Sequence, residues 1–360
     1  MSLKKIFFFA ILFIFFISSQ KSFSWGFYGH QRINRLAVFC LPPEMIPFYK
    51  RNIFFLTENA VNPDKRRYAI SGEAPRHFID MENYQPSSVD VIPKYWNEAV
   101  EKYTIDSMMA FGIVPWHIVQ VKFQLQKAFE QKDVFKILKL SADIGHYIAD
   151  SNVPLHTTVN YNGYLTNQAG IHAFWESRLV ELFSDNYDFF VGQATYIKDP
   201  QASAWKAVIT AHNALDSVLI FEKKLSKSFP EDKKYSFEER NGLTVKVYSK
   251  AYSAAYHKML GGQVERQMRN SIKMISDFWY TCWVDAGQPD LNFLINYQFN
   301  DIEKKIIEEE IKPEGKKNIK LRDHEIAFIY ENNNCSGSCC QTFAIVTPAQ
   351  IRRRALKISK

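Results

Sequence analysis

The chain has 360 residues, enough for one large domain or two modest ones. With 46% hydrophobic residues it can build a packed core, which excludes disorder over most of its length. The net charge of +7 falls to +4 without the first 24 residues, and residues 301–360 carry another +3. A body at about +1 announces no polyanion-binding face, though it leaves room for a local basic patch.

The first element is a targeting signal. Lys4 and Lys5 form a basic start, residues 6–17 are an unbroken apolar run, and Ser22 and Ser24 occupy the small-residue positions of a cleavage site. This predicts a secretory signal peptide over residues 1–24. The alternative is an uncleaved anchor, although the run is shorter than the ~20 residues of a membrane span. No second long apolar run follows. The mature chain is therefore expected to be soluble, with no transmembrane segment, in the periplasm or outside the cell.

From about residue 28 to 300 the pattern is mostly helical. Apolar residues recur at three and four positions over residues 116–129, 204–221 and 264–284. Turn signals separate the segments at Pro42-Pro43, Asn62-Pro63, Gly112 with Pro115, Asn162-Gly163 and Gly261-Gly262. Alternating, strand-like runs are scarce, so the expected fold class is all-α. After Gln288-Pro289-Asp290 the character changes. A charged stretch over 301–320, with Glu308, Glu309 and Glu310 in a row, predicts a helix and then a solvated linker. The end is a basic appendage holding Cys335, Cys339 and Cys340, three of the five cysteines. Their crowding suits a local disulfide or plain thiols better than a metal site. The expected organisation is residues 1–24 signal, 25–300 domain, and 301–360 charged linker and tail.

The chemistry lies between residues 144 and 176. His146 and Asp150 are four apart, which on a helix puts both on one face. An imidazole and a carboxylate so placed can hold a divalent ion. Pro154 ends that helix, and His156 comes from the next segment. His172 and Glu176 repeat the spacing, and with His156 they give two imidazoles and one carboxylate, a set that leaves a coordination position open. A lone pair of this kind is more often a helix-surface interaction. Two pairs bracketing a further histidine favour metal. His117, His212, His257 and His324 show no partner spacing and are expected in surface or core roles.

The block His146-x3-Asp150-x3-Pro154-Leu155-His156, followed by His172-x3-Glu176, resembles the superfamily that joins bacterial zinc-dependent phospholipases C with the single-strand-specific zinc nucleases of fungi and plants. The resemblance covers roughly residues 25–300. Further marks follow in order: Trp25 directly after the expected cleavage site, His30 five residues later, Asp64 in Asn62-Pro63-Asp64-Lys65-Arg66-Arg67, and His77 in His77-Phe78-Ile79-Asp80. It implies a helical bundle with a cluster of three zinc ions in a cleft. Asp64, His77, His146 and Asp150 would hold one ion. The terminal amine and carbonyl of Trp25, with His30 and a bridging Asp150, would hold a second. His156, His172 and Glu176 would hold the third. The alternative for Trp25 is a core tryptophan.

The implied activity is hydrolysis of phosphodiester bonds by a zinc-bound hydroxide, with Asp64, Arg67 and Asp150 catalytic. Asp64 would orient or deprotonate the nucleophile, and Arg67 would clamp a phosphate oxygen. The alternative for Arg67 is a solvent-facing cation. Substrate is either single-stranded nucleic acid or a phospholipid head group. Phe78 and Asp80 would stack and read a base in the nuclease branch, with core packing and a helix cap or turn as their alternatives. Glu176 and the short step from His156 to His172 look more like the phospholipase branch. Two readings of other classes stand beside the enzyme: a non-catalytic exported zinc-binding protein, and a surface-attached interaction protein using the tail.

Overall fold

The structure is a computed structural model that describes residues 25–67, 69–84, 91–240 and 242–312. The expected signal peptide over residues 1–24, His324 and the cysteines Cys335, Cys339 and Cys340 lie outside the described residues. So do the side chain and terminal groups of Trp25, of which only the helical backbone is described.

The fold is mostly helical. Its long helices are α1 (Trp25–Ala37), α2 (Ile53–Asn59), α3 (Val114–Gln131), α4 (Val134–Ser151), α5 (Pro200–Asn213), α6 (Leu215–Ser228), α7 (Lys250–Leu260), α8 (Gln263–Asp285) and α9 (Asp301–Glu310). Helix α4 is the centre. Residues 141–151 are buried on every face, as expected of a helix enclosed by others. Helices α1, α2, α3, α5 and α8 all pack on it. Local chemistry sets its ends. Lys132 adopts a left-handed conformation that closes α3. The Asp133 side chain then accepts from Lys136 N at 3.1 Å and caps α4. At the other end Pro154 cannot continue the helix, and a 3₁₀ turn (Pro154–Thr157) follows.

Two polar contacts tie α8 and the segment before α2 to α4. Trp279 Nε1 donates to Ser141 O at 3.1 Å, and the Tyr49 and Ser141 hydroxyls are 2.9 Å apart. A third fixes α1, where Asn34 Nδ2 donates to Ala142 O at 3.1 Å. The close approach of α1 depends on Gly145, because a Cβ there would lie 2.0 Å from Asn34 Oδ1. Gly145→Ala is therefore expected to destabilise the fold by about 1–3 kcal/mol through overpacking. It should also draw His30, one turn before Asn34, away from α4. Denaturant unfolding checks the first effect. Pairing the variant with Asn34→Ala should recover part of the loss.

Three expectations are revised. The fold is not purely α: β1 (Tyr235–Arg240) and β2 (Leu243–Tyr248) form an antiparallel hairpin, in register from Tyr235 opposite Tyr248 to Arg240 opposite Leu243. Its signal was present in the Asn241-Gly242 pair between two alternating runs. The single segment expected over 204–221 is two helices. The chain bends at Ala214, whose carbonyl accepts from Ser217 Oγ and Gln263 Nε2. Last, residues after 290 do not leave the body at once. Phe299 stacks on Phe55 with centroids 4.7 Å apart, and Glu310 pairs with Lys139 of α4 at 3.1 Å. Asn300 and Glu303 close a capping box at the start of α9. Among the described residues no helix is long and apolar enough to cross a membrane.

Candidate metal centre

Five imidazoles and three carboxylates meet at one end of α4. His30 comes from α1. Asp64 sits in the first turn of a short helix (Asn62–Arg66) started by Pro63. His77 ends a 3₁₀ turn (Ala74–His77). His146 and Asp150 share a face of α4, His156 lies in the turn after it, and His172 lies in a short helix (Ile171–Ala173). Glu176 is carried by a π-helical turn (Phe174–Arg178) rather than the regular helix its spacing suggests. The wider turn still leaves His172 Nε2 and Glu176 Oε1 3.1 Å apart.

These side chains form three groups that could hold metal ions: His30, Asp64 and His146; His77, His146 and Asp150; and His156, His172 and Glu176. The first two overlap, and Asp150 faces both. Its Oδ1 is 3.3 Å from His30 Nε2, while its Oδ2 is 2.8 Å from His77 Nδ1 and 3.2 Å from His146 Nε2. Asp64 Oδ1 lies 3.5 Å from His146 Nε2 and 3.8 Å from His77 Nδ1. In the third group Glu176 Oε2 is 3.5 Å from His156 Nε2.

The rings are aimed by their outer nitrogens. His146 Nδ1 donates to Ala60 O at 2.8 Å, His156 Nδ1 to His77 O at 2.6 Å, and His172 Nδ1 to Tyr161 O at 3.2 Å. A carbonyl only accepts, so each of these rings carries its proton outside and turns Nε2 inward, the arrangement typical of metal-ligating histidine. His77 is held the other way round. Its Nε2 lies 3.6 Å from the carboxylate of Glu73, and its Nδ1 faces the cluster.

Local backbone contacts fix that segment. Ile79 N donates to His156 O at 2.9 Å, and Ile113 N to Pro75 O at 2.7 Å. Gly112, at φ +88°, passes so close beneath Phe78 that a Cβ would come within 2.3 Å of Phe78 O. Only glycine fits both demands.

The electrostatics follow from this crowding. Burial opposes charge on Asp64, Asp150 and Glu176, but the facing imidazoles outweigh it. His146 and Arg67 hold Asp64 well below the usual carboxylate range, His146 and His156 do the same for Asp150, and His172 and His156 lower Glu176 to about 2. Against burial, Asp150 and Asp64 push His146 up to about 10, and Asp150 raises His156. His30 is lowered, by burial first and then by His146, whose ring stacks on it at 3.8 Å.

Arg67 is not solvent-facing. It is 6% exposed, with Nε 3.5 Å from Asp64 Oδ1. Phe78 and Asp80 are both buried. Phe78 packs under Gly112, and Asp80 immediately precedes the short helix Met81–Tyr84, positions that suit the packing and capping readings. His117, His212 and His257 make ordinary contacts with Gln120, Thr157 and Tyr187. Beside the cluster a small, mostly apolar cleft is lined by His30, Glu176, Ile33, Val153, Trp175 and Met268.

Sequence reasoning missed the groups behind His77. Glu73 is fully buried and accepts from the Tyr147 hydroxyl and from Arg76 Nη1 at 2.7 Å. Arg66 forks onto Asp143 with two 3.1 Å contacts and donates to the Tyr147 oxygen at 3.2 Å. The spacing from Glu73 to His77 is the same i, i+4 interval that marked the other pairs, but it crosses a 3₁₀ turn rather than a regular helix. Compared with known proteins, the chain matches no protein-family model, and no curated protein matches it. Fold and site define a mostly helical protein with buried histidine–carboxylate groups fit to hold metal ions.

Proposed function

We propose that the chain is an exported hydrolase of phosphodiester bonds that works with three zinc ions. One observation carries the metal part of this reading: buried imidazole nitrogens and carboxylate oxygens converge in three groups. His146 Nε2 and His77 Nδ1 are 3.0 Å apart, and both face Asp150 Oδ2. A proton joins them in the metal-free chain, and a cation would take its place. The spacing also fits zinc. Donors about 2.0–2.1 Å from one tetrahedral ion are roughly 3.3 Å from each other; here His77, His146 and Asp150 are 2.8–3.2 Å apart, and Asp64 is 3.5 and 3.8 Å from the two imidazoles.

In this reading Asp64, His77, His146 and Asp150 hold one ion. Trp25 and His30, with Asp150, would hold the second, and His156, His172 and Glu176 would hold the third. Bound zinc supplies a Lewis acid and makes water acidic enough to lose a proton near pH 7. Asp64 is the most exposed of the three carboxylates, at 19%. Held so far below the usual range, it is a weak base, and its part is to orient the attacking water. Arg67, buried beside it, presents a planar fork suited to a phosphate oxygen. If the substrate is single-stranded nucleic acid, Phe78 and Asp80 would stack on and read a base. The leader over residues 1–24 supports export, and its removal would expose the amine of Trp25.

The test is turnover of bis(4-nitrophenyl) phosphate by purified mature protein, with metal content measured on the same sample. A chelator should abolish the activity and zinc restore it. Three zinc ions without turnover would instead leave a non-catalytic zinc-binding protein. A parallel assay on single-stranded nucleic acid and on phosphatidylcholine decides the substrate branch.

A further inference from the structure

We propose that Glu310, at the end of α9, is a positioning residue for the metal centre, because it closes the outer end of a buried ion network whose inner end orients His77. The network runs through named contacts. Glu73 Oε1 lies 3.6 Å from His77 Nε2, and Glu73 Oε2 lies 3.6 Å from Arg66 Nε. Arg66 forks onto Asp143, and Lys139 Nζ reaches Asp143 Oδ2 at 3.2 Å. Glu310 Oε2 then meets Arg66 Nη1 at 3.6 Å and Lys139 Nζ at 3.1 Å.

Charge balance explains why the last member matters. Arg66, Arg76 and Lys139 bring three positive charges, and Glu73 and Asp143 only two negative ones. Glu310 supplies the third. Arg66 and Glu73 are 6% and 0% exposed at their side chains, so water screens little of an imbalance. Without Glu310 the uncompensated cations draw harder on Glu73. That carboxylate then attracts the edge of His77 it faces at 3.6 Å less strongly, and the ring is less firmly aimed at Asp150. Carboxylates behind metal-ligating histidines typically govern affinity by 10–100-fold. A residue one step further out should act less strongly. Helix α9 would thus be part of the metal centre's support, not the start of a linker.

This rests on the metal-binding reading but not on phosphodiester cleavage. The experiment is zinc affinity by competition with a chromophoric chelator, on full-length Glu310→Gln, Glu73→Gln and Glu309→Gln. Among the described residues Glu309 pairs along its own exposed helix, with Lys305 at 3.6 Å, and serves as the control. Glu310→Gln should weaken one ion by about 3–10-fold, Glu73→Gln should weaken the same ion further, and Glu309→Gln should change nothing. The loss should fall on that one ion even where the metal-free unfolding midpoint of Glu310→Gln drops below that of Glu309→Gln. Wild-type affinity in Glu310→Gln overturns the proposal. So does an equal loss at all ions that follows a lowered metal-free midpoint, since that marks α9 as a mere structural prop. A wild-type chain that binds no zinc would defeat the metal reading itself.

Discussion

Asp150→Asn should bind fewer metal ions than the wild type and lose phosphodiester turnover by at least about a thousandfold. Asp150 is 2% exposed, and its two oxygens face different partners: Oδ1 looks to His30, Oδ2 to His77 and His146. An amide of the same shape keeps one oxygen but replaces the other by a donor, which cannot ligate and repels a cation. Whichever way the amide turns, one side of the shared position is lost. The fold should survive. Breaking a buried ion pair costs about 3–5 kcal/mol when a charge is stranded, but an imidazole can shed its proton and limit that cost. Metal analysis of the folded variant, beside its turnover of bis(4-nitrophenyl) phosphate, is the check. A variant with a full set of ions and wild-type turnover would remove Asp150 from its bridging place.

What the sequence disclosed depended on how local each feature is. His146 and Asp150 were legible because a regular helix converts an interval of four into a shared face, and α4 is regular through both. His172 and Glu176 were legible for a weaker reason: their turn is π-helical, yet the interval still brings the two together. Glu73 and His77 share that interval but lie across a 3₁₀ turn, where helical spacing gives no warrant for contact. Gly145 could not be read at all. Its role comes from Asn34, more than a hundred positions away, and no pattern in either neighbourhood points to the other. The docking of α9 is hidden for the same reason. A row of glutamates reads as a solvated face, and only the folded chain brings Arg66 and Lys139 opposite the last of them. The hairpin is a different case, since its Asn-Gly turn between two alternating runs is a local signal that was missed.

Stripping the metal should lower the unfolding midpoint, and the gap between loaded and stripped protein should widen from pH 6 to pH 8. An ion present at a thousand times its dissociation constant stabilises the folded chain by about 4 kcal/mol. At about 2–4 °C per kcal/mol for a domain of this size class, the shift is on the order of 10 °C. The pH dependence comes from His146 and His156. With no metal, His146 is pushed up to about 10 by Asp150 and Asp64, so near neutrality it carries the proton that an ion must displace. Metal affinity therefore rises with pH. The stripped chain moves the opposite way. A histidine raised above its ordinary ~6.5 contributes stability that is complete below that value and is lost as pH climbs towards 10. Glu176, lowered to about 2, contributes a part that is lost only as pH falls below the ordinary carboxylate range, so it stays constant between pH 6 and pH 8. Both histidine effects act in one direction. Thermal unfolding with zinc and with chelator at pH 6, 7 and 8 measures the gap directly, and calorimetry in two buffers of different ionisation enthalpy counts the protons released. A gap that closes as pH rises, or loading that frees no proton, would mean that the imidazoles do not meet the carboxylates as the distances here require.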